Sequence, residues 1–68
     1  MIEKTFLVAG MSCEHCRTSV ATELERVRGV ASVDVDLATK LVRVRGDELD
    51  DSALVEAIDE AGYDAVPA

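Results

Sequence analysis

From Ile2 to Val8 polar and apolar residues alternate, with Ile2, Lys4, Phe6 and Val8 on one face and Glu3, Thr5 and Leu7 on the other. This period of two predicts a strand. Ala9 and Gly10 interrupt it, and from about Cys13 the apolar positions recur at helical spacing as Cys16, Val20, Leu24 and Val27, with Gly29 as the expected helix stop. A second strand is predicted from Val30, turning Ala31, Val33, Val35 and Leu37 inward and Ser32, Asp34 and Asp36 outward. A polar turn over 38–40 leads to a third strand from Leu41 to Arg45. After Gly46 and an acidic connection, Asp50 or Asp51 is placed to cap a second helix that carries Leu54, Val55, Ile58 and Ala61 at core spacing. Gly62 ends that helix, Tyr63 to Val66 form a short last strand, and Pro67 belongs at a sheet edge.

The order βαββαβ predicts an α+β ferredoxin-like sandwich, a four-stranded antiparallel sheet with two helices on one face. Right-handed crossovers then bring three connections to one end: the loop from Gly10 to Cys16, the hairpin at Ala38 and the turn at Gly62-Tyr63. Tyr63 is thus expected near the cysteines. Residues 1–68 form a single domain, without linker, low-complexity stretch or membrane-spanning run.

Composition narrows the function classes. Apolar residues make up 49% of the chain but Phe6 and Tyr63 are the only aromatics, so the core must be built from Val, Leu, Ile and Ala. The net charge of −7 disfavours nucleic acid and anionic membranes as partners. Its distribution is uneven: seven bases against six acids up to Gly46 sum to +1, while eight acids and no base from Asp47 onward give −8. That tail reads either as a solvated helix face or as a surface that orients a partner protein. No apolar run follows a basic start as a signal peptide requires, and two cysteines this close cannot staple a fold, so reduced thiols in the cytoplasm are expected.

The candidate chemistry lies in Gly10-Met11-Ser12-Cys13-Glu14-His15-Cys16, which holds both cysteines and the only histidine. Two residues separate the thiols, so one turn of chain can aim both sulfurs at one point, for a metal or a disulfide. A structural zinc site needs four ligands and no second pair exists, whereas soft Cu(I) is content with few sulfurs. Cys16 falls in the first helical turn and Cys13 just before it, where unpaired N–H groups and the helix dipole favour thiolates. Two thiolates with one Cu(I) carry −1, which a helix N-terminus accommodates. Arg17 either adds to that field or keeps the helix soluble. Met11 offers a thioether but at this position is expected to pack inward. His15 is expected to be exposed, with metal access or a bridged dimer as its alternative roles. Tyr63 is either a lid on the core or a shield for the metal.

The loop after a strand, together with Gly62-Tyr63 after the second helix, resembles the heavy-metal-associated domain family in its bacterial copper chaperone branch, over nearly the whole chain. The resemblance implies that Cys13 and Cys16 hold Cu(I), with Met11, Ser12, His15 and Tyr63 around them, and that the ion passes to a copper-transporting P-type ATPase. It implies a monomer without metal, with a copper-bridged homodimer left open. Zinc and cadmium branches commonly carry an acid where Ser12 stands, and periplasmic mercury-binding relatives carry a signal peptide. A start methionine just before the first strand and an end just after the fourth favour a free-standing carrier over an N-terminal domain of the ATPase. A thiol-disulfide module is the rival from another class, but it usually has an aromatic before the first cysteine and a proline between the two, where Ser12 and Glu14-His15 stand here. An interaction module with incidental cysteines is a further alternative. No catalytic constellation beyond the thiols is visible, so no enzyme is expected.

Overall fold

The computed structural model describes all 68 residues. Strand β1 (Ile2–Leu7) is followed by helix α1 (Glu14–Glu25), strands β2 (Val30–Asp36) and β3 (Leu41–Gly46), helix α2 (Asp51–Glu60) and the short strand β4 (Val66–Pro67). The sheet order is β2-β3-β1-β4 and every pairing is antiparallel. This is the expected ferredoxin-like arrangement. No helix is long and apolar enough to cross a membrane.

The core forms where the two periodicities meet. Phe6 and Val8 from the first strand and its end, Val42 and Val44 from β3, Val20 and Leu24 from α1, and Leu54, Ala57 and Ile58 from α2 are buried, and Met11 joins them from the loop. Alternate positions of a strand and every third or fourth of a helix face one side, so each element delivers its apolar set to one layer. No side-chain polar atom is buried without a partner. Asp50 rather than Asp51 caps α2, accepting the Ser52 N–H at 3.0 Å.

Four local expectations are corrected. β1 ends at Leu7, although Val8 stays in line through its N–H bond to the Lys40 carbonyl at 2.8 Å. Ala31 faces solvent: the register slips between Val30 and Ser32, so a bulge inserts Ala31 and turns Val30 toward the core instead. Gly29 does not stop α1, which ends at Glu25 with Arg26 as its C-cap. With φ +90, Gly29 belongs to the turn into β2, where its carbonyl accepts the Asp47 N–H at 3.0 Å. The last strand is Val66–Pro67, not Tyr63 to Val66. Residues Gly62 and Tyr63 are spent on closing α2, with Gly62 at φ +95 donating to Asp59 at 2.8 Å and Tyr63 to Ile58 at 3.1 Å, a Schellman motif.

The close approach of the 29–31 and 46–47 segments is fixed by backbone. A Cβ on Gly46 would lie 1.9 Å from the Gly29 carbonyl oxygen. Gly46→Ala is therefore expected to destabilise the domain by about 2–3 kcal/mol, as overpacking against an unyielding neighbour does. Urea unfolding measures it, and an unchanged midpoint would show that the two segments separate freely.

Candidate metal centre

The loop between β1 and α1 is held at its root and open at its tip. Met11 is fully buried among the core residues, and its N–H reaches back to the Val8 carbonyl at 3.3 Å. Two residues later Cys13 is exposed, as the N-cap of α1 in extended conformation (φ −147, ψ 167). Its side chain makes no capping bond. The sulfur instead lies 3.0 Å from Cys16 Sγ, which sits half-buried in the first helical turn. That distance is about 1 Å longer than a disulfide bond and suits a hydrogen bond between thiol and thiolate.

The surroundings of Cys16 favour its anion. Its pKa falls to about 6, first through a hydrogen bond from the Ser12 backbone N–H, then through the Tyr63 hydroxyl and the Cys13 thiol. Partial burial opposes this, and a smaller contribution comes from the Cys13 N–H. Tyr63 shows the reciprocal effect: its pKa rises because its hydroxyl donates to Cys16. At neutral pH these groups together shift Cys16 toward its thiolate.

The structure brings together most of what the sequence nominated. Cys13, Cys16, Ser12 and Tyr63 meet at one end of the sandwich, and the Gly10 backbone runs so close to Tyr63 that a Cβ there would lie 3.4 Å from its ring. Met11 is a core residue beneath the loop. His15 is exposed and lines the cleft between the helices with Thr18 and Glu60. Arg17 binds Glu14, its Nε 2.9 Å from the carboxylate, and so spends its charge on the first-turn acid. The residue missed from sequence is Lys40. Read only as part of a polar turn, it lies across the hairpin with its ammonium donating to the Met11 carbonyl. The hairpin and the loop are neighbours only after β3 pairs with β1, so sequence offered no signal beyond a cation in that turn.

The family model described as the heavy-metal-associated domain matches residues 5–64. Among characterised relatives, the copper chaperone CopZ of Staphylococcus haemolyticus is 46% identical over 66 residues, covering 94% of this chain and 97% of its own. CopZ of Staphylococcus aureus is 38% identical over 68 residues, 97% of this chain and 100% of its own. Among solved structures, a CopZ metallochaperone superposes with a TM-score of 0.90 at 37% identity, over 96% of this chain and 100% of that one. A copper binding domain from the P-type ATPase HMA7 superposes with a TM-score of 0.93 at 30% identity, over 100% and 95%.

Removing the phenol isolates its share of the electrostatics. In Tyr63→Phe the Cys16 thiolate loses a donor, so the pH midpoint of its alkylation by iodoacetamide, followed in Cys13→Ser to isolate one thiol, is expected to rise further in Tyr63→Phe/Cys13→Ser. An equal midpoint in both proteins would remove Tyr63 from the site.

Proposed function

This chain belongs to the heavy-metal-associated domain family, and we propose that it carries Cu(I) between Cys13 and Cys16 in the cytoplasm and hands it by thiolate exchange to a copper-transporting P-type ATPase. The observation that supports this most is the pair of sulfurs 3.0 Å apart at an exposed helix mouth. Rotation of the exposed Cys13 side chain opens the pair enough to admit an ion, while Cys16 stays anchored by its donors. Soft sulfur donors select a monovalent soft ion, and Ser12 adds no carboxylate that would favour a harder one.

Release follows from the same geometry. A two-sulfur site on a surface loop leaves the ion open to attack by a partner's thiolate. Sulfur–metal bonds then form and break one at a time, through three-sulfur intermediates, without the ion entering water. The hydrogen bonds to Cys16 stabilise it as it lets go, since a thiolate that already has donors needs no proton to leave. The protein serves as a carrier that returns unchanged.

Partner recognition uses charge. Asp51, Glu56 and Asp59 are exposed on α2, and with Asp64 they line a groove that runs to Tyr63 and hence to the metal end. A basic surface on the partner would be steered to that side.

Cys13→Ala and Cys16→Ala are each expected to lose tight Cu(I) binding in competition with a chelator while keeping the wild-type circular dichroism. X-ray absorption of the wild-type Cu(I) form should find two or three sulfur neighbours. Wild-type affinity in both variants, or a shell of nitrogen and oxygen, would refute the assignment. The rate of copper transfer to the partner domain should fall as salt rises from 0.02 to 0.5 M, roughly the range over which screening shortens to a few Å. A flat salt profile would dismiss steering.

A further inference from the structure

Lys40 occupies a position whose backbone does not call for lysine. Its φ is +64, a left-handed conformation that is comfortable for glycine and crowded for a residue with a Cβ. Its carbonyl accepts the Val8 N–H at 2.8 Å, a bond that any residue in this turn could make. The side chain makes no ion pair, although the other cations near it on the sheet, Arg43 and Arg45, each reach a carboxylate. Instead the half-buried ammonium is turned onto the carbonyl of Met11.

That carbonyl belongs to the same peptide unit as the Ser12 N–H, which adjoins Cys13 in the chain and is the first of the groups that favour the Cys16 thiolate. A planar peptide couples its two ends, because fixing the oxygen fixes the direction of the N–H across a bond that does not rotate. A cation on the oxygen also draws electron density from the nitrogen and strengthens what the N–H donates. We propose that Lys40 is a positioning residue for the metal centre, acting through the Met11–Ser12 peptide to fix the loop that leads into Cys13 and Cys16. The proposal rests on the reading of Cys13 and Cys16 as metal ligands. It makes the β2–β3 hairpin an outer partner of the site, of the kind whose loss typically weakens metal binding by about 10–100-fold.

Three variants separate the ammonium from the backbone. Lys40→Met removes the charge and keeps the crowded φ, Lys40→Gly removes the charge and relieves it, and Lys40→Arg keeps a cation. Cu(I) affinity is measured by chelator competition at one pH, and the Ser12 amide proton is followed by NMR in the reduced metal-free protein. Lys40→Met and Lys40→Gly are both expected to lose about tenfold in affinity and to move the Ser12 amide upfield, with Lys40→Gly unfolding in urea no earlier than the wild type. Lys40→Arg should restore most of both signals. Wild-type affinity in Lys40→Gly, or a Ser12 amide unmoved in both uncharged variants, would overturn the proposal. Cys16→Ala in the same competition is the control that keeps the two readings apart. If it abolishes binding while the Lys40 variants bind normally, only the role of Lys40 fails; if it binds normally, the metal-ligand reading itself fails.

Discussion

The burial of Met11 is the constraint on which the rest of this molecule turns. A chain of this size has roughly 3–10 kcal/mol of stability in all, and burying one methionine contributes about 1.5–3 kcal/mol of it. That side chain is fully enclosed, whereas Cys13 two residues along is exposed. The loop is therefore fixed at one end by the core and at the other by the first turn of α1. Between these anchors the chain has little freedom, which keeps the Ser12 peptide beside the Cys16 sulfur. A thiol pair at the surface is thus tied directly to the core.

Around that anchor the site is built largely from backbone. Of the four groups that favour the Cys16 thiolate, two are peptide N–H groups, and a third, Tyr63, is placed by the motif that closes α2. Backbone donors cannot be deprotonated or swing away, so the chain itself fixes this part of the site. Cys13, exposed and without a capping bond, is the less constrained of the two sulfurs.

The acidic part of the chain gives the core Leu54, Ala57 and Ile58 but none of its charged side chains. Its charges sit on the solvent side of α2 and in the connection before it, where they cost little and repel one another only through water. The bases, by contrast, are mostly spent: Arg17 on Glu14, Arg26 on Glu23, Arg43 on Asp34 and Arg45 on Glu3. The surface along α2 is in consequence more acidic than the composition alone suggests.

Periodicity and order determined the layered fold, the helix that opens at the cysteines and the meeting of Tyr63 with the thiols, because these follow from which residues face the core and from the handedness of crossovers. Spacing determined the candidate ligands, since two residues between cysteines are a local fact. The bulge at Ala31, the true end of α1 and the displaced last strand were decided by tertiary structure. Each depends on hydrogen bonds to a segment remote in the chain or on a turn that competes with the strand pattern. Lys40 is the sharpest case. Nothing in its neighbours distinguishes it from a solvated turn lysine, and it meets the Met11 carbonyl only because strand pairing carries the hairpin to the mouth of the first helix.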